Sequence, residues 1–159
     1  MELMQDQIKS PLGTIYLVSS EKGLKSIDFK KPKMRVRTTK LKKAQPILDE
    51  AKKQLVDYFA NRRKKFNLPL DLDGSDFQKK VWLELSKIPY GKTCSYKEVA
   101  DKIQSPKAYR AVGTANGKNP LPIIIPCHRV ISANGSLGGY SGGLSIKIKL
   151  LQLEGLNNF

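Results

Sequence analysis

At 159 residues with a net charge of +15, the chain is long enough to bury a core without covalent staples, and it has no apolar run long enough to span a bilayer. Two cysteines and a single histidine exclude a disulfide framework and a zinc cluster. With no signal-peptide pattern in Met1–Ser20, a cytoplasmic location is expected, nucleoid-associated in a prokaryote or nuclear in a eukaryote. The basic excess suggests a polyanion partner: residues 1–70 hold 17 Lys and Arg against 7 Asp and Glu, and residues 71–159 hold 12 against 7.

The first third reads as antiparallel sheet. Gly13–Val18 and Leu24–Phe29 are short β-rich runs with Glu21-Lys22-Gly23 as a hairpin turn between them. Ser10-Pro11-Leu12-Gly13 is a further turn, which makes Glu2–Lys9 another strand. The densest basic run, Lys30–Lys43, reads as a solvated loop before it reads as a binding site. A helix follows, with Pro46 in its first turn. Ile47, Leu48, Ala51, Leu55, Tyr58 and Phe59 share one face, and the positive stretch Asn61–Lys65 suits its C-terminus. Phe66–Gly74, broken by Pro69 and Gly74, reads as a linker. The expected organisation is an α+β chain with a sheet-and-helix domain over 1–70 and a mostly helical domain over 71–159.

The second half opens with a helix from Ser75 or Asp76, whose stripe is Phe77, Val81, Trp82 and Leu85 and whose stop is Ile88-Pro89-Tyr90-Gly91. Cys94 precedes the next cap in what reads as a polar loop with no base beside it. Ser95-Tyr96-Lys97-Glu98 has the pattern of a capping box, in which the serine hydroxyl takes a free N–H and Glu98 reaches back. Ser105-Pro106 starts another helix at once, with serine as cap and proline first, running to about Asn116 before Gly117. Two short helices joined tightly, the second basic and rich in small residues, match a helix-turn-helix. An ordinary αα-hairpin is the commoner outcome of such a pattern; the net charge favours the DNA-binding reading, with Asn116 as the main base-reading candidate.

Beyond Asn119-Pro120, the apolar run Leu121–Ile125 leads to Pro126-Cys127-His128-Arg129-Val130 and reads as a buried strand ending at a thiol. A thiol next to the only imidazole has two readings. It is either a nucleophile, since a base or positive charge lowers a cysteine from about 8.5 into a reactive range, or a small buried hydrophobe, which is the commoner fate. Neighbours on a strand point to opposite faces, so Cys127 and His128 need a turn or a water to cooperate. Gly135–Gly143, centred on Tyr140-Ser141, has no phosphate-binding signature and reads as a lid. The last helix is expected to turn Leu144, Ile148, Leu151 and Leu153 inward and to end at Glu154-Gly155.

Taken together, Phe77…Val81-Trp82, Ile88-Pro89-Tyr90-Gly91, Ser95-Tyr96, Arg110-Ala111-Val112-Gly113, Asn119-Pro120, Ile125-Pro126-Cys127-His128-Arg129-Val130, Tyr140-Ser141-Gly142-Gly143-Leu144 and Glu154-Gly155 stand in one order. This set closely resembles the O6-alkylguanine-DNA alkyltransferases, also called methylated-DNA–protein-cysteine methyltransferases. The match spans roughly residues 76 to 155; residues 1–70 match loosely, in length and in element order. The resemblance implies a ribonuclease H-like N-terminal domain and a winged-helix-like catalytic domain. It implies that Cys127 accepts an alkyl group once, in a suicide reaction on O6-alkylguanine extruded from double-stranded DNA, with activity on O4-methylthymine left open.

By the same resemblance, His128 takes the thiol proton through a water and Glu154 orients His128. Asn119 holds the turn before the cysteine, and Tyr96 and Lys147 donate towards the leaving guanine. Arg110 enters the duplex, within a DNA-facing set of Ser95, Ala108, Tyr109, Ala111, Thr114 and Asn116. Pro122, Tyr140, Ser141 and Gly142 line the base pocket. No metal and no cofactor are expected, since residues 1–70 lack the cysteines and histidines with which some relatives hold zinc, and a monomer is expected. Tyr109 stands where the family usually has something smaller. Two rival readings are a non-catalytic protein that binds alkylated bases, which Cys127 argues against, and a helix-turn-helix regulator whose Cys127 is structural.

Overall fold

The computed structural model describes residues 2–33, 42–140 and 142–159, so Ser141 and much of the Lys30–Lys43 run lie outside the described residues. The chain divides into two compact units, Met1–Asp73 and Gly74–Phe159.

The first unit is built on β1 (Met4–Ser10), β2 (Gly13–Ser19) and β3 (Leu24–Asp28), an antiparallel sheet in the order β1-β2-β3. The β1–β2 turn is closed by the Ser10 hydroxyl, which donates to the Gly13 carbonyl and accepts from the Leu12 N–H. Period-2 patterning sends Ile15 and Leu17 inward, and helix α1 (Ala44–Phe59) covers them with Leu48, Ala51, Leu55 and Tyr58. Burying a Leu-sized side chain stabilises the fold by about 1.5–3 kcal/mol, so this face carries the unit.

Gln54 shares the buried face of α1, and apolar periodicity alone misses it. Its amide accepts from the Asn67 N–H and donates to the Asn67 carbonyl, so a polar side chain is buried with its partners made. That contact begins a correction. Phe66–Gly74, expected as a linker, is stitched to the sheet through Pro69, Leu70 and Asp71: the Leu24 N–H donates to Pro69, the Asp71 N–H donates to Leu24, and Leu24 bridges Leu70 in parallel. Gly23 makes room for this, since a Cβ there would lie 2.7 Å from the Leu70 backbone.

In the second unit, α2 (Asp76–Leu85) starts at a complete capping box between Ser75 and Gln78, and buries Val81, Trp82 and Leu85. α3 (Tyr96–Lys102) and α4 (Tyr109–Gly117) form the two-helix element. α4 packs on both α2 and α3, and the Trp82 indole N–H donates to the Ala115 carbonyl at 2.9 Å. β4 (Cys94–Ser95) pairs in parallel with β5 (Val130–Ile131), and α5 (Leu144–Leu153) completes the unit. Among the described residues no helix is long and apolar enough to cross a membrane.

Five local expectations change. The Ser95 hydroxyl accepts from the Glu98 N–H, but Glu98 does not close a reciprocal box; its carboxylate faces the Cys94 sulfur at 3.6 Å, within the buried β4 and not in a polar loop. Ser105 makes no side-chain cap, and a 3-10 turn over Pro106–Ala108 precedes α4. Leu121–Pro126 is not a strand but a chain of turns, because two prolines deny a ladder its donors. The inward face of α5 is Lys147, Leu150 and Leu151, with Glu154 just past its end, while Leu144 is 48% exposed.

Candidate active site

Asn119 builds the turn that delivers the thiol. Its side-chain N–H donates to the Ile125 carbonyl at 2.8 Å, and its oxygen accepts from the Leu121 N–H at 2.9 Å. Between these anchors Ile123 is held at φ +76°, a left-handed conformation costly for a β-branched residue. Pro126, at φ −79° and ψ 64°, is the centre of an inverse γ-turn closed by the Cys127 N–H on the Ile125 carbonyl. Cys127–Arg129 is therefore one 3-10 turn leading into β5. Successive side chains on such a turn fan by about 120° and do not alternate, so Cys127, His128 and Arg129 serve one site from adjacent positions.

All three are buried. His128 Nε2 lies 2.6 Å from Glu154 Oε2, and Arg129 grips the same carboxylate through Nε to Oε1 at 2.8 Å and Nη2 to Oε2 at 3.1 Å. The Gly91 N–H also donates to Glu154 Oε1, and Arg129 Nη1 donates to the Ile88 carbonyl. A carboxylate accepts, so His128 carries its proton on Nε2 and presents Nδ1 as an acceptor. Nδ1 has no protein hydrogen-bond partner among the described residues. Burial holds His128 below its ordinary pKa against the pull of Glu154, so the imidazole is neutral at pH 7. Arg129 is the residue that sequence reasoning missed; its partner is 25 positions away, and only its place beside His128 hinted at it.

The thiol departs from expectation. Burial pushes Cys127 up to about 11, outweighing the Asn119 amide, the Lys147 charge and the Tyr140 hydroxyl hydrogen bond, each of which favours the thiolate. The resting group is the thiol.

Next to it lies a cavity of about 380 Å³, lined by Tyr96, Gly113, Asn116, Gly117, Gly138–Gly139 and Tyr140. Tyr140 reaches the sulfur, and both burial and Cys127 push the Tyr96 hydroxyl up. A Cβ on Gly138 would sit 2.7 Å from the Tyr96 hydroxyl, and its φ of +71° also favours glycine. Lys147, fully buried and held down to about 8, donates to the Val130 carbonyl at 2.7 Å, to Leu137 and to Gly139 at 3.2 Å.

Several expected roles shift with these positions. All three protons of Lys147 are committed to carbonyls, so it anchors the glycine-rich wall instead of donating towards a base. Asn116 is buried and donates to the Cys127 carbonyl at 3.4 Å, which takes it off any groove-facing surface. Ser95 is buried as the cap of α3. Pro122 is buried inside the turn, and neither it nor Gly142 lines the cavity. On α4, Arg110, Ala111 and Thr114 are exposed and Tyr109 is 37% exposed, and Ala108, in the 3-10 turn before it, is half-buried. Among the described residues no group of His, Cys, Asp and Glu could hold a metal ion.

Residues 76–156 match the family described as 6-O-methylguanine DNA methyltransferase, DNA binding domain, and residues 3–72 match its ribonuclease-like domain. The methylated-DNA–protein-cysteine methyltransferase of Methanosarcina barkeri is 51% identical over 150 residues, 94% of this chain and 95% of that protein. The chain belongs to this family. The constitutive enzyme of that name from Bacillus subtilis is 45% identical over 92% of each chain. The crystal structure of Mycobacterium tuberculosis OGT in complex with DNA superposes with a TM-score of 0.85 at 45% identity, covering 95% of this chain and 92% of that one. Its α+β fold, with a small antiparallel sheet and a helical C-terminal part, is thus the methyltransferase fold.

Proposed function

We propose that this chain repairs alkylated DNA by direct reversal, moving the alkyl group of O6-alkylguanine in double-stranded DNA to its own Cys127, once per molecule and as a monomer. The observation that carries the reading is a buried thiol whose neighbours Asn116 and Tyr140 line a cavity of about 380 Å³, in one turn with a neutral imidazole whose Nε2 is held by Glu154, itself gripped by Arg129. A cysteine that was merely structural would not require the buried network of His128, Glu154 and Arg129 beside it, since each buried ion costs several kcal/mol unless paired. The DNA-bound relative supports DNA as the partner.

The alkyl group cannot meet a buried sulfur while its guanine stays stacked. Extrusion costs a few kcal/mol, least for a damaged pair, and Arg110 on exposed α4 is the side chain to fill the gap. The Cys127 proton passes through one water to His128 Nδ1. The thiolate attacks the alkyl carbon, the S–C bond forms and the C–O6 bond breaks. The released electron pair remains on guanine, which takes a proton from the Tyr96 hydroxyl, and Tyr96 recovers one from the imidazolium by way of solvent. The product is a thioether that no group in the site can cleave.

A fluorescent O6-benzylguanine tests this directly. Wild-type protein should label at one equivalent, with the mass added to Cys127 and none to Cys94; absence of label would refute the function. A second measurement separates DNA handling from chemistry. Arg110→Ala should slow repair in duplex DNA by about 10- to 100-fold, in line with a few kcal/mol of extrusion cost, and barely alter reaction with the free base. Equal losses on both substrates would contradict the assignment of Arg110.

A further inference from the structure

Tyr109 is a large aromatic side chain, partly exposed on the helix proposed to face DNA. A lone exposed aromatic needs no explanation, but this one walls a second cavity. That cavity is about 330 Å³, lined by Tyr96, Lys97, Tyr109 and Ser132–Asn134, within the size range of small-ligand sites. The Lys97 ammonium lies 5.6 Å from the Tyr109 ring centroid. The opposite rim is a closed turn: the Ser132 N–H donates to Ser136, the Gly135 N–H to Ser132, and the Ser136 N–H to Asn134 Oδ1. With its oxygen spent inside the turn, Asn134 keeps its amide N–H group at the rim.

We infer that this cavity takes the unstacked base of the nucleotide flanking the lesion on the same strand. The inference rests on the proposed function for its ligand and adds a subsite to it. Two tyrosine walls with a cation over one ring are the chemistry that holds single-stranded bases, where stacking dominates and sequence matters little. The mostly apolar lining suits a base better than a phosphate. Tyr96 lines both this cavity and the one beside Cys127, so a strand that places its alkylated base in one brings its neighbour to the other. Arg110, adjacent to Tyr109, is the residue proposed to occupy the vacated stack. A bulky side chain at a position where groove contact favours small ones is thereby given a ligand.

The test is a protein–DNA mutant cycle read by fluorescence anisotropy, in a Cys127→Ser background that holds the complex at equilibrium. Tyr109→Ala should weaken binding to a methylated duplex about tenfold, the range of one base–aromatic stack, and Tyr109→Phe should not. With an abasic residue on the 5′ or the 3′ side of the lesion, the Tyr109→Ala effect should fall below about twofold on one of the two sides. Melting curves of each variant exclude loss of fold. An effect that survives both abasic flanks, or disappears only when the base opposite the lesion is removed, would overturn the subsite. The functional reading is checked separately by wild-type labelling with O6-benzylguanine: unlabelled wild type with an intact cycle removes the chemistry and keeps the pocket, and labelled wild type with a flat cycle does the reverse.

Discussion

Cys127→Ser should bind methylated duplex and transfer nothing, and wild-type protein mixed with excess lesion should repair one lesion per molecule and stop. The serine hydroxyl sits in the same dry turn and meets the same imidazole, yet it is a far weaker nucleophile than a thiolate. Cys94 is the internal control. It too is buried, and its thiol is also pushed up, by burial first and against the nearby Lys102 charge. Its partners are Glu98 and Lys102. The spent protein should also be less stable. Cys127 is 1% exposed, its N–H is tied to Ile125 and its carbonyl to Asn116 on α4, so an added methyl group on this sulfur should crowd the turn packed around it. Overpacking of this kind costs about 1–3 kcal/mol, which at this chain length lowers Tm by roughly 2–4 °C per kcal/mol. Repeated turnover without a second substrate, or methylation found at Cys94, would overturn the mechanism.

What the sequence disclosed follows the range of the interactions involved. The three strands, α1 and α2 were legible because period-2 and period-3.6 patterns are local, and in α1 a single buried polar residue, Gln54, does not break the stripe. The nucleophile and its histidine were legible as neighbours. α5 was misread because its inward face is interrupted by charge: Lys147 and Glu154 stand two turns apart and are both buried, while Leu144 is exposed. A hydropathy pattern scores such a face as outside, although Lys147 and Glu154, seven residues apart and so on one side of the helix and its cap, are a signal that could have been used. The apolar run before Cys127 looked like a strand because composition does not reveal that Asn119 folds it back on itself, with Ile123 held at φ +76°. Asn116 looked like a base reader because it sits on the second helix of a DNA-binding motif; only packing assigns it to the inner face. The thiol misled for an electrostatic reason. A neighbouring base lowers a cysteine pKa in water, but at full burial desolvation is the larger effect, so the site keeps the proton until a complete acceptor chain is in place.

That proton chain predicts the behaviour of Glu154→Gln. In the wild type, thiol and neutral imidazole exchange a proton without loss to bulk, so the labelling rate should be flat from about pH 6.5, above the lowered His128, and bend only as the pH approaches about 8, the midpoint at which Lys147 is half deprotonated. Below the plateau the imidazole is already protonated and cannot accept. Glutamine keeps the shape of Glu154 but offers one oxygen and one N–H2. With its oxygen towards Arg129 and Gly91, its N–H2 faces His128 Nε2 and demands an acceptor there, which moves the histidine proton to Nδ1 and removes the base that served the thiol. Lost general-base action is worth about 10²–10⁴-fold, so the rate at pH 7 should fall by at least about 100-fold. The thiolate must then form by loss to solvent, and its fraction rises about tenfold per pH unit below the thiol pKa of about 11. The plateau should therefore become a slope. The substitution also leaves the Arg129 charge buried with a weaker partner, and breaking such a pair costs about 3–5 kcal/mol. Labelling is accordingly measured well below the melting temperature of the variant. Lost fold alone would scale the rate down equally at every pH, whereas a changed slope reports the altered proton path. A Glu154→Gln profile that stays flat across pH 6.5 to 8 would remove Glu154 from that path and leave it as a structural partner of Arg129.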